Sequence, residues 1–403
     1  MELFWLEHKK LWRKKIVKIC VLLCFVYCVI FGSILSFQWF CFGSSDDYTS
    51  AFGNNFDGYT VIKDSQEYAL SFGGELTDET LQQIVSDYQQ MEADGMEEEL
   101  EKTDWQIVNS WLGTLYPELR DTSNYKTMIS YVDPDKLTGF YERRQQVLDE
   151  FLEVSGQVGA EKEFLHQIER KVEKPFRYEW VEGWSTLLGS MVADLGVVMA
   201  LFLGIVLSSL FAGEWHDNTS TLVLTTRNGW GKIALAKILT GLAFTVELFA
   251  LLAVSNVISQ LFFMGTAGWD MPIQNIKLIA VAPMNMLQAE IYEYAFVLLG
   301  AIGFAGIVMF ISAAVKNNVL TLLLSLAVVY GPMMIAEYLP YGMQKALDLI
   351  PLVGSSTDIF RTNTFRIFGK LIWSPYLLIT IPVLIGILCM PFAIKSWSRR
   401  MKA

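Results

Sequence analysis

The chain has 403 residues, of which 53% are hydrophobic and only 18% charged, and its net charge is -11. Soluble proteins carry about 25% charged residues. The apolar excess falls in long uncharged blocks, each able to cross a bilayer as about 20 helical residues, which excludes a soluble enzyme, and the acidic balance excludes a nucleic-acid protein.

Residues 1–15 are expected to form an interfacial amphipathic helix. On a helical wheel Phe4, Trp5, His8, Leu11, Trp12 and Ile16 share one side, and Lys9, Lys10, Arg13, Lys14 and Lys18 the other. Such a helix lies at the headgroup level with its Trp rings. Residues 16–42 read as the first span. That block is too long for a signal-peptide core, and no small-residue cleavage site follows it. Cys20, Cys24 and Cys28 repeat every four residues and share one helix face. They read as small packing residues rather than a metal or redox stripe.

Residues 43–183 form a polar insert. From Cys41 to Glu182 there are 30 Asp and Glu against 12 Lys and Arg, a net of -18, which leaves +7 of the total -11 for the rest. Beyond Cys41 the insert has no cysteine, so no disulfide framework holds it. Its pattern is mostly helical. Thr77 opens a capped helix that carries Leu81, Ile84, Val85 and Tyr88 at helical spacing. Pro134 to Val154 reads as one helix and Glu161 to Glu173 as another.

Five further apolar blocks follow, over 187–212, 236–264, 294–315, 318–339 and 371–394. The fold class is therefore an all-α integral membrane protein. It has six transmembrane helices, an N-terminal interfacial amphipathic helix and a mostly helical extracellular domain between spans 1 and 2. Lys and Arg gather before the first block, after the last, around Arg227 to Lys237 and at Lys316. The positive-inside rule then puts both termini and the loop 213–232 in the cytoplasm. Lys277, Lys345, Arg361, Arg366 and Lys370 fall on the opposite side and dilute the bias. Asp194 in span 2, Glu247 in span 3 and Asn256 beyond it are candidates for a substrate path, because an ionisable group at that depth turns to the bundle interior. For Glu247 the bland alternative is an internal hydrogen bond to Thr245, Asn256 or Gln260. Gly300, Gly303 and Gly306 suit close helix approach. Gly331-Pro332 suits a kink in span 5.

There is no GxxxxGK[ST], HExxH, CxxC or GxSxG in the chain. Neither a nucleotide site, a metal site nor a cofactor site is expected, and no catalytic set is legible. The most informative stretch is the loop between spans 2 and 3, which runs Glu214, Asn218, Thr219, Leu222, Leu224, Arg227 and on to Lys237. Asp217, Asn218 and Thr219 can cap a short helix that exposes the leucines and the arginine.

In that order of residues the loop resembles the first intracellular segment of type 2 ABC-transporter permeases. Asn218 stands where that family commonly has glycine. The amphipathic N-terminal helix, the six spans and a half-helical stretch between spans 5 and 6 are similar too, and a large outer insert occurs in a subset. The resemblance implies a half-transporter in the bacterial cytoplasmic membrane. It implies a second permease chain, identical or related, and a separately encoded ABC ATPase that carries ATP and Mg. Glu214, Asn218, Thr219, Leu222, Leu224 and Arg227 would dock that ATPase. The implied function is export of a substrate such as a cationic peptide, antibiotic or lipid-like compound. The alternative from another class is a sensor or immunity module whose outer domain captures a peptide and signals without transport.

Overall fold

A computed structural model of the protein describes residues 2–27, 66, 74–96, 105–121, 126–216, 231–354 and 363–399, with the side chains at 106, 190–194, 216, 341 and 399 left aside. The chain is mostly helical, and five of its helices are long and apolar enough to cross a membrane. They cover Leu195–Trp215, Lys232–Met264, Met286–Val315, Asn318–Tyr338 and Ser374–Ser398. This is a membrane protein. The expected first span is helical over 15–27, and the rest of it lies outside the described residues.

In chain order, α1 is Glu2–Arg13 and α2 is the helix over 15–27. The insert contributes β1 (Gly74–Leu76), α3 (Asp78–Ala93), α4 (Gln106–Leu115), α5 (Phe140–Val154), α6 (Ala160–Glu169) and β2 (Phe176–Tyr178). A short α7 (Glu182–Thr186) and a π turn at Leu187–Met191 lead into α8 (Val192–His216). Then come α9 (Lys232–Met264), α10 (Met286–Val315), α11 (Asn318–Ile335), α12 (Tyr341–Leu347), a hairpin of β3 (Thr364–Ile367) and β4 (Lys370–Trp373), and α13 (Ser374–Arg399).

The membrane core is built around α10. It packs most closely on α13 and α8, and its glycines explain how. A Cβ on Gly303 would lie 2.3 Å from the Pro382 carbonyl oxygen, and one on Gly306 would lie 2.4 Å from that of Gly386. Only hydrogen fits between these backbones, as expected for small residues at a helix seam. Cys20 and Cys24 of α2 are buried in the same apolar core, so the packing reading holds for them. Cys28 and Cys41 lie outside the described residues.

The insert has its own apolar core, from Leu76, Leu81, Ile84, Trp111, Leu112 and Phe140 among others. The Thr77 hydroxyl accepts from the Thr80 amide at 3.2 Å and caps α3 as expected. The single helix expected over 134–154 is split. A 3₁₀ turn covers Pro134–Lys136, and Gly139, at φ +72°, starts α5 afresh. The Asp78 carboxylate accepts from the amides of Gly139 and Phe140 at 2.7 and 2.9 Å, so it answers the orphan donors of the new N-terminus. The helix expected over 161–173 is α6, ending at Glu169. Two antiparallel pairs modify the all-α expectation: β1 with β2, which ties the two ends of the insert, and β3 with β4 just before α13. That hairpin occupies part of the expected half-helical stretch. Pro332 lies inside α11, which ends three residues later and passes into a 3₁₀ turn at Ala336–Tyr338.

One buried charge fastens the insert to the membrane core. Arg144 of α5 is fully buried and donates to the Leu278 and Ala280 carbonyls at 2.7 and 3.0 Å. These belong to the 265–285 connection between α9 and α10. The third bond of the guanidinium goes to Glu169, whose carboxylate also takes Lys174 at 2.8 Å. Burial pushes the Glu169 carboxyl up, but the hydrogen bonds and charges of Lys174 and Arg144 outweigh it and hold it below its ordinary value.

Two outcomes are expected. Gly303→Val forces backbone against backbone and lowers thermal stability in detergent by at least about 1–3 kcal/mol, whereas Gly331→Ala, with open space around it, does not. A carboxyl with a depressed folded pKa contributes stability above its unfolded value of about 4.3 and loses it as pH falls through the lower folded value. Melting followed from neutral to acid pH therefore falls in that window for the wild type. Glu169→Gln starts lower at neutral pH and shows a flatter acid limb; a parallel curve would contradict the clamp.

Candidate functional site

The loop of interest leaves α8 at His216 and rejoins the described chain at Gly231, just before α9. Asn218, Thr219, Leu222, Leu224 and Arg227 lie outside the described residues. The base on which the loop is mounted is described. Glu214, two residues before the end of α8, is 4% exposed, and Lys237, in the second turn of α9, is 1% exposed. The Lys237 ammonium donates to Glu214 Oε1 at 2.8 Å, directly across the two ends of the loop.

α1 completes this base. Glu7 takes the same Lys237 ammonium at 2.8 Å, and Lys10 donates to the same Glu214 oxygen. Lys14 reaches Ser209 Oγ at 3.0 Å. Leu11 of α1 is buried in the membrane core between these polar contacts. Two members of the expected basic face, Lys10 and Lys14, are thus turned into the chain.

Other elements meet the same two turns of α8. The Ser312 hydroxyl of α10 donates to the Ser208 carbonyl at 2.7 Å and accepts from the amides of Phe211 and Ala212 at 3.1 Å. Trp397 of α13 packs on Phe211 and Trp215, with ring centroids 5.5 and 6.0 Å apart. Lys316, at the end of α10, lies 4.2 Å over the Trp215 ring. A displacement of residues 208–216 therefore acts at once on α1, α9, α10 and α13, because close-packed interiors transmit strain.

Glu214, expected as a polar anchor for a partner, has its carboxylate on Lys237 and Lys10 of the chain itself. Glu247 is not an internal partner of Thr245, Asn256 or Gln260. Its carboxylate meets α1, with Trp12 Nε1 donating to Oε2 at 3.0 Å and His8 Nε2 lying 3.2 Å from Oε1, while its side chain keeps 44% exposure. The Thr245 hydroxyl donates to the Gly241 carbonyl. Asn256 lies nine residues on along α9, buried at 2%, so the two do not converge. Asp194 stands in the first turn of α8, and its side chain is not among those described.

Two groups escape a sequence reading that starts span 4 at 294. α10 begins at Met286 and buries Glu290 and Glu293 at 3% and 0% exposure. The signal is their i, i+3 spacing directly before an apolar run, with Asn285 and Gln288 forming a capping box at the helix start. No family model, characterised protein or solved structure matches the chain.

Removing one member of a buried ion pair strands the other at about 3–5 kcal/mol, while removing both is far milder. Glu214→Leu and Lys237→Met alone are therefore expected to lower thermal stability strongly, and the double variant to recover much of the loss. A double-mutant cycle measures this. Additive losses would show that the pair does not act as a unit.

Proposed function

We propose that this chain is the membrane permease subunit of an ATP-driven ABC exporter whose ATPase is encoded separately. One observation carries the reading: the loop between α8 and α9 is mounted on a buried ion pair, Glu214 with Lys237, that α1 also enters. A loop that receives a push from a partner needs such a base. Without it the push would bend the loop rather than move the spans.

In this reading 16–42 is the first of six spans and both termini lie in the cytoplasm of a bacterial cell. Residues 1–15 lie at the membrane interface, and residues 43–183 lie outside. α9 has 33 residues, about 50 Å of helix against a hydrocarbon core of about 30 Å. The excess lets α9 project at the cytoplasmic side, so that α1 crosses it near the headgroups between Lys237 and Glu247. The polar contacts that Glu7, Lys10 and Lys14 make with Lys237, Glu214 and Ser209 are consistent with that depth. A second permease chain pairs with this one, and ATP and Mg are held by the partner ATPase. The substrate class follows the acidic insert, whose field concentrates cations.

The sensor reading keeps one observation in its favour. The insert is clamped through Arg144 to the connection that leads into α10, which offers a route from a captured peptide to the membrane core. Net movement of a solute into inverted vesicles with ATP supports export, and stimulated hydrolysis without movement supports sensing.

The docking test is a single substitution. Apolar anchors at the centre of an interface cost about 2 kcal/mol or more when lost. Leu222→Asp is expected to leave the chain inserted yet to release the ATPase expressed with it, or to uncouple its hydrolysis. Thr186→Ala, at the far end of the bundle, is expected to do neither. An ATPase still bound and fully coupled in Leu222→Asp would sink the docking assignment.

A further inference from the structure

A cavity of about 340 Å³ lies where the insert meets the membrane core. Its walls come from residues 171–177, which run into β2, from the 265–285 connection and from the first turn of α10. Its size is at the lower end of small-molecule sites, which span about 300–1,000 Å³. At its buried side stands Gln274, with 0% exposure. Gln274 Nε2 donates to the carbonyls of Ala280 and Ala282 at 3.0 and 2.9 Å. Only the NH₂ end of an amide can serve two carbonyls, so the orientation of this side chain is fixed. Its Oε1 is left buried without a donor.

A buried acceptor without a donor costs free energy, and the walls do little to answer it. Pro175, Pro272 and Pro283 bring no amide N–H to the cavity. The start of α10 supplies the complementary groups. Asn285 Oδ1 accepts from the Gln288 amide at 2.8 Å, and Gln288 Oε1 accepts from the Asn285 amide at 3.2 Å. The capping box thus uses both side-chain oxygens and neither NH₂ group. Both residues line the cavity. One buried acceptor and two unused amide donors therefore belong to the same 340 Å³ space.

The charges around the cavity cancel. Lys171 and Arg177 stand against Glu173 and Asp270, and Arg177 lies 3.4 Å from Asp270. Selection there falls to hydrogen bonds rather than to net charge. The site is also rigidly backed. The Ala280 carbonyl that holds Gln274 also accepts from Arg144, so the cavity adjoins the joint between insert and membrane core.

We propose that this cavity binds the backbone of a peptide. Gln274 Oε1 accepts one amide N–H of the ligand, and the NH₂ groups of Asn285 and Gln288 donate to its carbonyls. A secondary amide offers both halves of that match, whereas an ester offers only the carbonyl. The acidic field of the insert bears on the side chains of such a peptide and not on this recognition. That the peptide is a transported substrate rests on the exporter reading; the reading of its backbone does not.

The test uses the full chain in lipid nanodiscs, with isotope-labelled methionine methyl groups and no ATPase. Met284 lines the cavity, and Met309, packed against Gly241 in the α9–α10 seam, is the reference. Met284→Leu and Met309→Leu assign the two signals. The probe is N-acetyl-dialanine N-methylamide, which carries no charge. It is expected to shift the Met284 signal saturably and to leave Met309 in place. Its depsipeptide analogue, with ester oxygens in place of the N–H groups, is expected to need about tenfold more for half-saturation. Asn285→Asp combined with Gln288→Glu keeps the capping oxygens and removes the NH₂ donors. That double variant is expected to melt as the wild type does and to weaken the peptide about tenfold. A Met284 signal that does not respond overturns the proposal, since water then suffices for Gln274. So does an ester that binds as well as the amide, an outcome that needs no variant to fold, and so does unchanged affinity in the double variant. If the peptide binds but no ATPase ever co-purifies, the exporter reading falls and the peptide site stands. If the ATPase docks and couples but Met284 stays silent, the reverse holds.

Discussion

A carboxylate with 4% exposure, held between two ammonium groups from different parts of the chain, organises the loop end of this molecule. Glu214 would be intolerable there alone, since a stranded buried charge costs several kcal/mol. Lys237 and Lys10 make it tolerable only when α8, α9 and α1 are all in place. The three elements are therefore fixed together rather than in turn. Lys237 is buried further than Glu214 and has Glu7 as a second acceptor, so α1 is bound through both signs of charge. Around this polar knot the Ser312 hydroxyl and the Trp397 ring add α10 and α13. An N-terminal helix expected to float at an interface is in this way a fastened part of the helix bundle.

The other end of the bundle uses the same device for another purpose. Arg144 is buried in the insert, and its guanidinium fits two carbonyls of the 265–285 connection and the Glu169 carboxylate at once. A planar fork with fixed donors suits that task where a lysine would not. The insert and the membrane core thus share a rigid joint, and apolar contacts from Leu148, Leu152 and Leu165 to Met271, Ile273 and Ala280 surround it. Between the two joints run α8, α9 and α10, closely packed through Gly241 and tied by Ser312. The molecule has a charge-paired knot at each end.

Much of the membrane architecture was legible in the sequence, because an uncharged run of 20 or more residues has few physical alternatives. The spans expected over 236–264, 318–339 and 371–394 come out within about four residues, whereas α10 starts eight residues before the expected 294. There Glu290 and Glu293 delayed the apparent start, since a hydropathy reading ends an apolar run at charged residues even where the helix buries them. The Thr77 cap was legible from local chemistry. The break at Gly139 was not, because Asp78, which sustains it, lies 61 residues away in sequence. The same limit explains Glu214 and Glu247. Their type and depth announced a polar role, yet Lys10, which meets Glu214, and Trp12, which meets Glu247, come from α1, more than 200 residues distant. A loop motif reads the order of residues and cannot tell which side chains turn outward to a partner and which turn inward to hold the base.

The central claim is that α1, the end of α8 and the start of α9 form one unit through Glu214. Hydrogen–deuterium exchange of the chain in nanodiscs tests it directly, with no partner present. The account predicts that Glu214→Gln raises exchange together in residues 2–13, 208–216 and 231–240, while 286–300 stay protected. Faster exchange confined to residues 2–13, with the ends of α8 and α9 unchanged, would contradict it.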